Sequence, residues 1–154
     1  MINRRRTSIA GLVLSASTFV AILLHEGYSD KAYTPVPGDV PTIGFGTTSG
    51  VRPGDTIEPV EAVSKALRDV QKFEGALKEC VKVPLSQNEY DAFVSFAYNI
   101  GPKAFCNSTL VEKLNKEDYE GACNEMSRWV YVKGRKVQGL VNRREKERRL
   151  CLGV

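Results

Sequence analysis

The chain has 154 residues, enough for one domain with a substantial core and short for two. Apolar residues make up 42% and charged residues 26%, which excludes wholesale disorder. The net charge of +4 favours anionic partners without choosing among nucleic acid, phospholipid and envelope polymers.

Arg4, Arg5 and Arg6 precede an uncharged stretch, residues 7–24. Basic residues before an apolar run begin an export signal, and this run is about long enough to cross a bilayer as a helix. Ser8, Gly11, Ser15, Ser17 and Thr18 dilute it. A cleaved signal peptide would be cut almost at Glu26, and a permanent anchor fits the length but not the polarity. An uncleaved, weakly held anchor that can leave the membrane fits both. A buried core helix in a cytosolic protein is the remaining alternative, disfavoured by the arginines.

Over residues 33–45, Pro35, Pro37, Gly38 and Pro41 exclude a helix, while Val36, Val40, Thr42, Ile43 and Phe45 favour short extended pieces. The pattern predicts a β-hairpin or three-stranded ribbon running on through residues 44–54. Gly44-Phe45-Gly46 is not a dinucleotide fingerprint, because the next glycine is Gly50 and no βαβ pattern surrounds it.

The rest reads as helix. Pro59 suits a first turn, and Val60, Val63, Leu67, Val70, Phe73 and Leu77 recur at helical spacing to about Cys80. Ser86 and Glu89 form a capping box for a helix that carries Tyr90, Phe93, Val94 and Ala97 and stops at Gly101. Helices are predicted over about 109–114 and 119–129, then a turn through Gly134 and Gly139, then a basic helix over about 140–150. The expected fold class is α+β and mostly helical, with one small β-hairpin lobe after the first helix.

The cysteines, Cys80, Cys106, Cys123 and Cys151, lack C-x-x-C spacing, and His25 is the sole histidine, so no metal site is expected. Two disulfides in an oxidising compartment and four reduced thiols in the cytosol both fit the spacing, and an export signal favours the first.

Cleaving a glycosidic bond needs a proton donor for the leaving oxygen and, usually, a second carboxylate or a positioned water. The donor must hold its proton near neutral pH, which burial or nearby negative charge brings about. Glu26 follows the long apolar run, where a helix C-terminus and an apolar wall would act in that direction. Asp39 and Thr42 lie in the stiff hairpin that follows. By pattern alone, a Glu ending a helix and an Asp in a turn are ordinary solvated groups.

Five blocks in order add to this reading. His25-Glu26-Gly27 with Ala32-Tyr33 and Pro41-Thr42-Ile43-Gly44-Phe45-Gly46-Thr47 resembles the catalytic signature of glycoside hydrolase family 24, the phage-type lysozymes. Ala92 to Gly101, Ser108-Thr109-Leu110, Ser127-Arg128-Trp129 and Gly139 to Glu145 are similar to that family's later blocks.

The resemblance implies a lysozyme-like fold and a muramidase that hydrolyses the glycan strands of bacterial peptidoglycan as an endolysin. It implies Glu26 as general acid and Thr42 as the catalytic threonine. The family's Asp position falls on Pro35, so the second carboxylate is assigned to Asp39, with Asp30 in reserve. Tyr98 and Asn99 match residues that touch the glycan, and Arg143 matches a basic residue that pairs with the catalytic Glu. Trp129 is read as core packing ahead of a sugar platform. By likeness of the Gly121-Ala122-Cys123 and C-terminal cysteine blocks to relatives, Cys123 pairs with Cys151, leaving Cys80 for Cys106.

The start resembles a signal-anchor-release segment. The expectation is therefore residues 1–24 as such a segment and 25–154 as one lysozyme domain, with a β-rich lobe about 28–55 and a helical lobe about 56–154. The chain would be exported uncleaved, held transiently at the inner membrane by residues 7–24 and freed to the periplasm, where that stretch repacks as a helix and assembles the site. No cysteine precedes Cys80, so disulfide exchange within the anchor is not the expected trigger. No cofactor is expected. Nucleic acid is not an expected partner, because the basic last helix lacks any arranged recognition pattern, and the chain is expected to act as a monomer. A lytic transglycosylase, which uses one Glu and no water, and a non-catalytic wall-binding module are the alternatives; Thr42 argues against the first, Glu26 and Thr42 together against the second.

Overall fold

The computed structural model describes residues 5–154, so Arg4 lies outside the described residues. The chain forms two compact units, one of Phe19–Lys72 and the other of Phe73–Val154 with the chain up to Thr18.

The stretch read as one helix over residues 7–24 is divided. Thr7 pairs with Leu85 through two backbone hydrogen bonds, of 2.9 and 3.0 Å, and Ile9–Gly11 makes a 3-10 turn. Only Ala16–Glu26 (α1) is α-helical. The break has a physical cause: Ser15 accepts from the amide of Thr18 at 3.3 Å, the bond that caps a helix start, and its own amide donates to Asp91 at 3.0 Å. Among the described residues no helix is long and apolar enough to cross a membrane.

In the Phe19–Lys72 unit, Ser29–Tyr33 (β1) pairs antiparallel with Thr42–Gly44 (β2). Ser29 faces Gly44 and Tyr33 faces Thr42, so β1 carries the longer span between its paired ends and bulges. The bulged residues are satisfied elsewhere: Ala32 donates to the Asp55 carbonyl and Ile57 to the Asp30 carbonyl, both at 2.9 Å. Ile43, Ile57 and Ala62 form the small core, flanked by Ala32, Phe45 and Val51. The unit is thus wider than the 28–55 stretch, since Ile57 and Ala62 supply much of its apolar interior.

Pro59–Cys80 (α2) matches the predicted helix and passes from one unit into the other. Gln87–Ile100 (α3) is the central helix of the second unit, opened by the full Ser86/Glu89 capping box, and buries Tyr90, Phe93 and Phe96 completely. Pro102–Cys106 (α4), which the sequence did not suggest, brings Phe105 to 6.3 Å from both Phe93 and Phe96. Thr109–Asn115 (α5) and Tyr119–Glu125 (α6) follow. The helix expected to reach residue 129 tightens into a 3-10 turn at Met126–Arg128.

Tyr131–Val132 (β3) and Arg135–Lys136 (β4) then form a short hairpin that the sequence reading took only as a turn. Lys133 and Gly134 both have positive φ, +48° and +76°, as a two-residue type I′ turn requires. Gln138–Leu152 (α7) packs along α3 and ends at Gly153. Disulfides join Cys80 to Cys106 and Cys123 to Cys151, with Cα separations of 5.6 and 5.7 Å. The first ties the end of α2 to α4, the second α6 to α7.

Candidate active site

Glu26 is the last residue of α1 and is half-buried. Gly27 follows with φ +70° and donates to the Leu23 carbonyl at 3.1 Å, turning the chain sharply out of the helix towards β1.

The glycine turn between β2 and α2 is shaped around this carboxylate. Ile43 and Thr47 exchange two backbone hydrogen bonds, of 2.9 and 3.0 Å, closing a tight loop over Gly44-Phe45-Gly46. Gly46 has φ +88°, and a Cβ there would sit 3.2 Å from Glu26 Oε2. Gly44 has φ +63°, and its Cβ would press on that of Ala62 at 3.0 Å. Glycine is needed at both positions for backbone conformation and for space. Two further contacts fix the loop. The buried Thr47 hydroxyl donates to Asp69 Oδ2 at 2.7 Å, and the Phe45 ring lies 5.4 Å from that of Tyr28, whose hydroxyl donates to the Ile57 carbonyl.

Thr42 is buried at the start of β2, and its hydroxyl donates to the Val40 carbonyl at 3.4 Å. Asp39 is exposed in the turn between the strands, its amide held by the Val36 carbonyl at 2.9 Å. Asp30 is exposed on the bulge of β1. Glu26, Gly46, Thr42 and both acids therefore belong to the same compact unit.

The other expected residues lie in the second unit. The half-buried Tyr98 ring packs 5.0 Å from Phe73. The Asn99 side-chain oxygen accepts from the Arg144 guanidinium. Arg143, which by resemblance matches a basic residue that pairs with the catalytic Glu, is buried; it donates to Glu147 Oε1 at 3.2 Å and to the Ser95 carbonyl at 3.5 Å. Arg144 is 1% exposed, donates to Glu147 and to the Trp129 carbonyl, and lies over the Phe96 ring. Burial lowers the Arg144 guanidinium from its usual value, against the opposing pull of Glu147. Trp129 is half-buried, edge-on to Phe96 at 5.7 Å.

Arg144, Glu147 and Asp69 were missed as site support. Glu147 had a signal, since it stands at helical i+4 and i+3 spacing from Arg143 and Arg144. The Asp69 contact with Thr47 had none. Among the described residues, no group of three or more His, Cys, Asp or Glu is placed to hold a metal.

The Phage lysozyme family model matches residues 24–147. A protein named SAR-endolysin from Pseudomonas phage phiKMV is 37% identical over 141 residues, covering 89% of this chain and 87% of its own length. Among solved structures, the muramidase domain of SpmX from Asticaccaulis excentricus superposes with a TM-score of 0.83 at 29% identity, covering 91% of this chain and 97% of that one. An endolysin from Escherichia coli O157:H7 phage FAHEc1 gives 0.79 at 37% identity, with 96% of each chain covered.

Proposed function

The chain belongs to the phage lysozyme family and is a glycoside hydrolase, an endolysin of bacterial peptidoglycan, and from that premise we propose that Glu26 is its catalytic acid. The observation that carries this assignment is the fit of Glu26 Oε2 against Gly46, where a Cβ would stand 3.2 Å from that oxygen, closer than ordinary van der Waals contact.

The bond cut is the β-1,4 linkage between N-acetylmuramic acid and N-acetylglucosamine. Glu26 gives its proton to the bridging oxygen as the bond to the anomeric carbon breaks. A water attacks that carbon and passes its proton to Asp39. Thr42 donates its own proton to the Val40 carbonyl and turns its oxygen lone pairs towards that water. Tyr98 and Asn99 hold the glycan, Asn99 with its carboxamide oriented by Arg144.

Residues 7–24 act first as an uncleaved export signal and weak tether at the inner membrane, facing the periplasm, and release then frees the enzyme to reach the wall. The relatives named SAR-endolysin and the small polar residues within the apolar run support this reading.

Mass analysis of the glycan ends released from purified peptidoglycan tests both the reaction and the second carboxylate. Ordinary reducing muramic acid ends are expected from the wild type and from Asp30→Ala, with little product from Asp39→Ala. Activity surviving in Asp39→Ala and lost in Asp30→Ala would move the role to Asp30. Anhydro ends would make the enzyme a lytic transglycosylase.

A further inference from the structure

The residues ahead of α1 are held by an unusual number of polar side chains from α2 and α3. Arg6 pairs with Glu89, with both Nε contacts at 3.1 Å and an Nη2 contact at 2.8 Å, and its guanidinium lies 3.5 Å over the Tyr119 ring. Lys78 donates to the Leu12 carbonyl at 2.6 Å, and Gln87 to the Val13 carbonyl at 2.8 Å. Glu74 accepts from the Leu14 amide at 2.7 Å. The chain therefore arrives at α1 with its backbone groups met one after another.

Asp91 completes the series. Its buried carboxylate accepts from the Ser15 amide at 3.0 Å, the Ser15 hydroxyl at 2.6 Å and the Thr18 hydroxyl at 3.2 Å. A negative group at a helix N-terminus is favourable, and here one carboxylate holds both Ser15, which caps the helix, and Thr18 in its first turn.

We infer that Asp91 is a positioning residue for Glu26, setting the start and register of the helix that ends on the catalytic acid. This inference rests on the assignment of Glu26 above. α1 has 11 residues, below the length of about 12–15 at which isolated helices become even marginal, so its start must be imposed from outside. A one-residue change in where α1 starts would turn its last residue, Glu26, by about 100° about the helix axis and shift it by about 1.5 Å along it. Ser15 and Thr18 thereby serve twice. They weaken the apolar run as an anchor, and in the folded chain they are the groups that Asp91 reads.

The test is kinetics and hydrogen exchange on the full chain with Asp91→Ala, Asp91→Asn and Ser15→Ala. Asp91→Ala should lower kcat by about 100-fold, the usual scale for a displacement of about 1 Å, with KM little changed. Asp91→Asn keeps an acceptor oxygen and should recover most of that loss, and Ser15→Ala should show a smaller fall of the same kind. Amides of residues 16–26 should lose protection in Asp91→Ala while α3 and α7 keep theirs. Unchanged kcat in Asp91→Ala would overturn the inference. So would protection lost evenly across the chain with no recovery in Asp91→Asn, which would make Asp91 a plain core residue. Should the wild type itself leave glycan uncut, the functional reading fails, and the exchange pattern at residues 16–26 still decides whether Asp91 sets the helix.

Discussion

Two stretches of the helical unit, residues 6–18 and α7, both rest on α3: Glu89, Gln87 and Asp91 bond the first, while Ser95 and Asn99 bond the buried Glu147, Arg143 and Arg144 of the second. The first is nearly free of charge, yet it leaves Val13 67% exposed and relies on Glu74, Lys78, Gln87, Glu89 and Asp91 to keep its place. The second is dense with arginine, yet it buries Arg143, Arg144 and Glu147 together with Cys151. The segment that looks as if it should bury itself is attached by bonds that water can also offer. The helix that looks solvated carries charge that cannot be uncovered or unpaired cheaply.

The largest expected effect falls on α7. Glu147 is 4% exposed and accepts from Arg143, Arg144 and Ser95, so Glu147→Ala removes the carboxylate that two buried guanidiniums share. Chemical denaturation should register a loss of about 3–5 kcal/mol. A loss within error would show that these arginines reach water and would erase the contrast.

Arg6→Ala should cost less, about 1–3 kcal/mol, because Glu89 keeps its bond from the Ser86 amide at 2.8 Å. If calorimetry gave Arg6→Ala the larger penalty of the two, the N-terminal stretch would be the firmer attachment.

The smallest effect belongs to the outer face of α7. The Arg148 guanidinium bonded to Glu145 holds that carboxyl below its usual range. A depressed carboxyl stabilises the fold above its unfolded pKa, and the contribution disappears as pH falls through the folded one. The small stability gap between wild type and Arg148→Ala should therefore be present at neutral pH, shrink with salt and close on acidification. A gap that widened on acidification would reverse the sign.

Local signals made part of this architecture legible. Helical spacing marked α2, and Ser86 with Glu89 marked the start of α3, whereas the tight loop at Gly44 and Gly46 stood within a stretch read as extended. The start of α1 was not legible, because it is set by Asp91, 76 positions along the chain from Ser15. Nor was the β3–β4 hairpin, whose two-residue strands are too short for alternation to register. In the site, Glu26 and Thr42 stood out through their signature, whereas the burial of Arg143 and Arg144 was hidden in a run of basic residues. Periodicity does not report a charge that is paired inside.

The most direct measurement is the rate at which purified peptidoglycan is cut by wild type and by Glu26→Gln, with matched circular dichroism and thermal unfolding. The glutamine is nearly isosteric and keeps the contact with Gly46 while removing the transferable proton. The expected result is an unchanged fold and a rate lower by about 10²–10⁴-fold, the usual contribution of a general acid. A folded Glu26→Gln that cuts glycan at the wild-type rate would contradict it.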